Sequence, residues 1–311
     1  MAARQRFTWQ LKARSLELGE RTILMGVLNV TPDSFSNHGQ HFDHHKAIEH
    51  GLHLLECGAD IVDIGGESTR PGTAAGTSEA LPENEELRRI LPALEGIKKA
   101  RPDALISIDT YKSTVAKAAL EAGAHIINDV SGGAWDPAMY AAAAELGCGF
   151  VLTHTRGQPA EWKKLKPEPE IVKLVVRELE ERLQLALEAG VGRERIVLDP
   201  GFGFGKGWEE NYRMLAGFDE FGRLGFPLLA GTSRKKFIGK TLERVNTAGE
   251  REEAPPRQRL YGTLASAVAC ILKGAHIVRV HNARAMRDAA LVADEILRAA
   301  EPAGRHGGTE E

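Results

Sequence analysis

The sequence predicts an α/β fold of one particular kind, a (β/α)8 TIM barrel forming a single domain with a short N-terminal extension. Three observations predict it. Short apolar runs alternate with helix-forming stretches, at a spacing of about thirty residues that suits a strand, a loop, a helix and a return turn. Gly58, Gly123, Gly147, Gly190 and Gly274 each fall just past a helical stretch, where only glycine takes the left-handed conformation cheaply. Finally, the apolar runs end abruptly in polar side chains: Asn29, Glu67, Asp109, Asn128, His154, Asp199, Ser233 to Lys235, and Arg279 with His281. In a barrel every such end opens on one face and can reach one ligand. A doubly wound sheet is the competing architecture, since periodicity does not show closure, but it gathers ligands at a single switch point.

Taken in order, residues 4–20 read as a preliminary hairpin within an extension over 1–21. The barrel domain spans 22–302, with strands at 23–28, 61–66, 105–108, 125–127, 150–153, 196–198, 227–230 and around Val280. Helices are expected over 43–57, 82–100, 113–122, 137–146, 170–189, 209–215, 257–273 and 283–300. The polar stretch 241–256, with Pro255 and Pro256 at its end, reads as a solvated excursion in the seventh βα connection. Residues 303–311 read as a disordered tail.

Bulk properties narrow the function. A chain of 311 residues with 42% hydrophobic content has material for one large core. A net charge of -3 makes no electrostatic case for nucleic acid or a membrane surface as partner. Cys57, Cys148 and Cys270 have no metal-ligand spacing and sit among apolar or small residues, as reduced core thiols of a cytoplasmic protein do. No apolar run is long enough to span a bilayer. The histidines at 38, 41, 44, 45, 50 and 53 lack carboxylate or cysteine partners at a recognised spacing and read as an exposed helix rather than a metal site. Gly201 to Lys206 imitates a nucleotide loop but lacks the Gly-Lys-Ser/Thr ending.

Seven motifs then carry a resemblance. Met25-Gly-Val-Leu-Asn-Val-Thr-Pro-Asp-Ser-Phe-Ser36, Asp63-Ile-Gly-Gly-Glu-Ser-Thr-Arg-Pro-Gly72, Ile108-Asp-Thr110, Ile127-Asn-Asp-Val-Ser-Gly-Gly133, Asp199-Pro-Gly-Phe-Gly-Phe-Gly-Lys206, Gly231-Thr-Ser-Arg-Lys235 and Arg279-Val-His281 closely resemble dihydropteroate synthase, in order and over nearly the whole chain. The resemblance implies a (β/α)8 barrel in folate biosynthesis, condensing 6-hydroxymethyl-7,8-dihydropterin diphosphate with 4-aminobenzoate and releasing pyrophosphate. It places the pterin against Asp109, Asn128, Asp199 and Lys235, and makes Asn29 the Mg²⁺ position. Arg279 and His281 face the diphosphate, and 4-aminobenzoate lies near Thr69, Pro71, Phe204, Lys235 and Lys236. It also implies a homodimer built through the late helices.

The residue chemistry agrees with this assignment. A pterin edge of adjacent N–H donors beside a carbonyl calls for buried carboxylates and amides, with a lysine for the carbonyl. Arg70, Arg279 and His281 are donors suited to a phosphate leaving group, and one amide oxygen suffices for a hydrated Mg²⁺ that arrives with the substrate. Asp109, Asp199, Lys235, Arg279 and His281 are therefore the expected catalytic set. Singly, each acid has a plainer explanation: Asp199 before Pro-Gly can form a turn, and Asp109 can cap the helix near Ser113. Capping does not call for acceptors at several successive strand ends.

Three positions depart from the family pattern: Asn37-His38-Gly39 where Asp-Gly-Gly is usual, Thr155 where Met is usual, and Asn282 where Asp is usual. Two rival functions stay open on the sequence alone, a pterin-binding methyltransferase of the same fold and a non-catalytic pterin-binding paralogue. The first has no use for diphosphate donors at Arg70, Arg279 and His281.

Overall fold

A computed structural model describes residues 4–31, 43–245 and 249–300. Within them an antiparallel hairpin, β1 (Phe7–Leu11) and β2 (Arg14–Leu18), precedes the first parallel strand. The eight-stranded sheet runs β3 (Ile23–Asn29), β4 (Ile61–Gly65), β5 (Leu105–Asp109), β6 (Ile126–Asp129), β7 (Gly149–Thr153) and β8 (Ile196–Asp199) side by side in chain order. β12 (Ile277–Val280) flanks β3 on its other side and pairs with β9 (Leu229–Ala230). A parallel bridge between Leu198 and Leu228 joins the two ends, so the sheet closes into the predicted barrel.

Helices return the chain between strands: α1 (His44–Glu56), α2 (Glu83–Ala100), α3 (Ser113–Glu121), α4 (Met139–Leu146), α5 (Ile171–Glu188), α6 (Trp208–Ala216), α8 (Leu260–Leu272) and α9 (Ala283–Ala299). Each lies within one to three residues of its expected bounds. The seventh connection holds more structure than its polarity suggested. A short helix, α7 (Lys236–Thr241), leads into an exposed ribbon of β10 (Arg244–Val245) and β11 (Arg251–Glu252). Elements this short and this polar leave no periodicity to read. The loop departure at 37–39, His38, His41 and the tail 303–311 lie outside the described residues.

Strand pleating sorts the barrel into two cores. Residues with one parity, such as Val62, Ile64, Ile106, Ile108, Ile127 and Leu198, pack outward with the helices in the large cluster. Residues of the other parity point inward. Ile23, Met25, Ile61, Ile126, Val151, Val197, Leu229 and Ile277 form a second cluster inside the barrel, closed from below by Trp9, Leu11 and Leu18 of the hairpin. The Trp9 indole N–H donates to the Arg195 carbonyl at 2.7 Å, so its one polar atom is satisfied inside that plug. A buried pair, Arg4 to Asp294 at 2.8 Å, ties the start of the chain to α9.

Candidate active site

One pleat step above the apolar floor the inward positions become polar. Asp63 stands two residues after Ile61, Asn128 two after Ile126, Asp199 two after Val197 and Arg279 two after Ile277. The barrel therefore holds a layer of charge and amide directly over oil.

Asp63 and Arg279 organise one half of that layer. Asp63 is fully buried, and its Oδ2 accepts from Arg279 Nε at 2.6 Å and Asn128 Nδ2 at 3.0 Å. Its Oδ1 is buried without a hydrogen-bond partner among the described residues. Arg279 Nη2 donates in turn to Asp109 Oδ2 at 2.5 Å. Burial opposes the charge on Arg279, but Asp63 and Asp109 outweigh it and hold the guanidinium above its ordinary pKa. Burial pushes the Asp109 carboxyl up to about 7, against the pull of Arg279 and with help from Asp63. Asp63 was not among the expected site residues. Its signal was a lone carboxylate inside the apolar run Ile61-Val-Asp-Ile, a group that must find a partner when buried.

Asp199, Lys235 and Phe204 organise the other half. Asp199 Oδ1 accepts from Gly201 N at 2.8 Å, so the turn-forming explanation holds for one oxygen; Oδ2 faces Gly231. Burial raises its pKa, against that backbone bond and Lys235. Burial also brings the Lys235 ammonium down to about 8, with Asp199 and Asp109 opposing and Arg279 adding to the effect. The Lys235 Nζ sits 3.7 Å from the centre of the Phe204 ring, a cation–π contact at the edge of the same space. Beneath that loop the Lys206 ammonium is buried and donates to the carbonyls of His154, Gly201 and Phe204 at 3.1, 2.8 and 3.2 Å, fixing its course. Asp109 does not cap α3; Asp136 Oδ2 takes the Ser113 N–H at 2.7 Å instead.

At the rim, His281 Nδ1 and Ser233 Oγ are 2.9 Å apart. Burial, then Arg234, Arg279, Lys235 and Arg70, lower the His281 pKa to about 3, so the ring is neutral near pH 7. That interaction also brings the exposed Arg70 within electrostatic reach of His281. Asn29 ends β3 beside Gly65 of β4, half-buried, and Thr69 is half-buried in the loop that follows β4. Lys236 is exposed and lies 3.5 Å from Glu253 of the excursion.

Two polar strand ends do not join the mouth. His154 follows the inward-facing Thr153 and so points outward, its Nε2 2.9 Å from Glu178 on α5. Glu67 is engaged by Tyr111 and Lys112 at 2.9 and 2.7 Å. Of the departures, Thr155 is buried and donates to the Gly157 carbonyl at 3.1 Å, and Asn282 caps α9 by accepting from Ala285 N at 3.1 Å. No group of three or more His, Cys, Asp or Glu suited to a metal occurs among the described residues. Asn29 offers one neutral oxygen, and Asp63 and Asp109 are engaged by Arg279, so this donor set fits a hard cation that brings phosphate and water ligands with it.

A closed parallel barrel with an inward ring of carboxylates, an amide and a half-buried lysine at its C-terminal mouth defines an enzyme that holds a polar heterocycle. The family model described as "Pterin binding enzyme" matches residues 25–281. The dihydropteroate synthase of Bacillus subtilis is 41% identical over 286 residues, 92% of each chain. The Xanthomonas albilineans dihydropteroate synthase solved with 4-aminobenzoic acid superposes with a TM-score of 0.81 at 39% identity, covering 95% of this chain and 100% of that one. The same organism's enzyme in complex with 7,8-dihydropteroate gives 0.77 at 37%, covering 94% and 100%. The chain belongs to the dihydropteroate synthases, transferases of the pterin-binding family.

Proposed function

We propose that the two halves of the mouth divide one reaction: displacement of pyrophosphate from 6-hydroxymethyl-7,8-dihydropterin diphosphate by the amine of 4-aminobenzoate, giving 7,8-dihydropteroate. The observation that carries this reading is the inward polar layer, in which Asp109, Asn128 and Asp199 supply acceptors and an amide from three strands while Lys235 adds a donor. The ring N–H groups pair with Asp109 and Asp199, Asn128 takes the remaining edge, and Lys235 donates to the ring carbonyl. On binding, these ring donors replace Arg279 as the partner of Asp109. Asp63 keeps its hold on Arg279 through Nε, leaving Nη2 for the diphosphate.

Arg70, Arg279 and a neutral His281 then donate to the departing pyrophosphate. Mg²⁺, held on the protein side by the Asn29 oxygen, supplies charge neutralisation at the diphosphate when bound. As the C–O bond breaks, Asp109 and Asp199 stabilise positive charge on the electron-rich ring. An aromatic amine is unprotonated near neutral pH, so attack needs no strong base. Thr69, Phe204, Lys235 and Lys236 form the aminobenzoate side, where the lysines suit its carboxylate. Two further parts of the reading rest on the surface and the thiols. Tyr261, Leu291, Val292 and Ile296 of α8 and α9 are exposed large hydrophobics, which a second copy of the chain covers in a homodimer. Cys57, Cys148 and Cys270 are free and buried, in keeping with a reducing cytoplasm, and no helix among the described residues is long and apolar enough to cross a membrane.

Purified protein given both substrates and Mg²⁺ should release pyrophosphate. Asp199→Asn lowers pterin diphosphate affinity by about ten- to a hundredfold, the worth of a charge-assisted hydrogen bond. Pterin binding without pyrophosphate release would favour the non-catalytic reading, and unchanged affinity in the variant would remove the ring-pairing argument.

A further inference from the structure

A second ionic cluster lies beside the mouth, its Glu86 near enough to help raise the Asp109 carboxyl. Lys112, at the turn between β5 and α3, donates its ammonium to Glu67 Oε2 at 2.7 Å, Glu86 Oε2 at 2.6 Å and the Leu81 carbonyl at 2.6 Å. Glu67 Oε2 also accepts from the Tyr111 hydroxyl at 2.9 Å, and its Oε1 accepts the Leu81 N–H at 3.0 Å. Side-chain exposure is 10% for Lys112, 11% for Glu67 and 1% for Glu86, so these bonds are made largely out of water.

What the cluster joins gives it a function. Glu67 and Leu81 are the two ends of the loop that carries Thr69 and Arg70, and both hang from one ammonium, three residues beyond Asp109. The loop between them is laid over the neighbouring connections: Gly76, at φ 78, packs on Trp135, Gln158 donates to the Gly76 carbonyl, and Gly72 N donates to the Pro159 carbonyl at 2.9 Å. Tyr111 and Trp135 stack edge to face at 5.1 Å beneath it. Fixing both ends of such a loop restricts where it can lie, so part of the entropy of placing Thr69 and Arg70 is met in folding rather than in binding.

We propose that Lys112 and Glu67 are positioning residues of the reaction: their clasp presets the loop that brings Thr69 and Arg70 to the aminobenzoate and diphosphate, while the pterin ring is held independently by the strands. This deepens the site reading given above and rests on it. Glu86 holds the same ammonium from α2, outside the loop in sequence but packed against Gly66 at its foot, and its carboxyl is raised by burial against the pull of Lys112. It serves as the internal control, because a purely stabilising cluster would make the three residues equivalent.

Steady-state kinetics on Lys112→Met and Glu67→Gln test the idea, together with calorimetric binding of 6-hydroxymethylpterin lacking the diphosphate. Both variants should raise KM for 4-aminobenzoate and for the pterin diphosphate by about tenfold or more, with kcat within about threefold and hydroxymethylpterin affinity unchanged. Glu86→Gln should shift the unfolding midpoint and leave both KM values alone when measured well above pH 7, where Asp109, whose carboxyl Glu86 helps to raise, is ionised with or without it. If Lys112→Met does not fold, Tyr111→Phe, which removes only the hydroxyl contact to Glu67, should raise the same two constants by about threefold. Unchanged KM values, or a parallel loss of hydroxymethylpterin affinity, would overturn the proposal. Arg70→Ala separates the two levels: if it raises KM for the diphosphate while the clasp variants do not, only the clasp fails, and if it too is silent, the loop's place in the site fails.

Discussion

The floor and the mouth of the barrel are built by the same strands and differ by one step of the pleat. Ile61, Ile126, Val197 and Ile277 face inward at the floor, and Asp63, Asn128, Asp199 and Arg279 face inward two residues later. That step is about 7 Å of strand. Below it the inner residues gain by excluding water and pack on the hairpin. Above it, Asp109, Asp199 and Lys235 bear burial costs visible as raised carboxyls and a lowered ammonium. Stability and chemistry therefore occupy adjoining layers, and the closed wall of hydrogen-bonded strands lets the first carry the strain of the second.

The sharpest way to break this division is at the floor. Trp9 is wholly buried and lies in the plug, so Trp9→Ala should cost about 3–5 kcal/mol of stability in urea unfolding. At a temperature where the variant remains folded, its kcat/KM should stay within about twofold of the parent. A loss of kcat/KM that tracks the loss of stability would mean that floor and mouth are one unit.

At the mouth the expected signs reverse, and Lys235 shows it best. Below about pH 8 its ammonium is charged and, on the function proposed above, donates to the ring carbonyl; removing it should cost about 1.5–3 kcal/mol of pterin affinity, or about ten- to a hundredfold. In the parent, kcat/KM should fall as pH rises through about 8, as Lys235 loses its proton, and also as pH falls through about 7, as Asp109 gains one. Lys235→Met should abolish the alkaline limb and keep the acid one. Stability moves the other way. The folded pKa lies below the unfolded value of 10.5, so the unfolded chain binds more protons between about pH 8 and 10.5 and the parent gains stability across that window. Lys235→Met should thus be the more stable protein at pH 7, with an advantage that shrinks above pH 8. A variant less stable than the parent at pH 7 would contradict the burial cost.

The same parity explains how much could be read in advance. Strand and helix positions were legible because apolar runs and glycine stops recur with the βα period. Which polar residue faces the cavity was not, because strands of a parallel barrel are apolar on both faces and alternate no visible pattern. Asn128 faces in and Asp129 faces out, where it accepts from Ser131 and Gly133 in its own turn. Thr153 faces in and His154 faces out to Glu178. Counting pleat steps from an inward floor residue separates each pair, but the floor itself is known only once the hairpin is seen to close it. Asp63 escaped for the converse reason: it lies inside a strand, and attention to strand ends passes over it. The motifs compensated at Asp109, Asp199, Lys235 and Arg279, which one layer brings together.

The smallest effect should come from Asn282, which stands one residue beyond His281 and belongs to the scaffold. Its side chain accepts the Ala285 N–H at 3.1 Å, capping α9. Asn282→Ala should cost about 1 kcal/mol of stability with kcat/KM unchanged. Asn282→Asp keeps the acceptor and adds a negative charge at the positive end of the helix, which should stabilise by about 0.3–1 kcal/mol at low salt, and less as salt is raised. The pair is informative because His281 is the residue immediately before it. If Asn282→Ala raised KM for the pterin diphosphate, the cap would be setting the position of His281, and the border between scaffold and mouth would have to be drawn one residue further out.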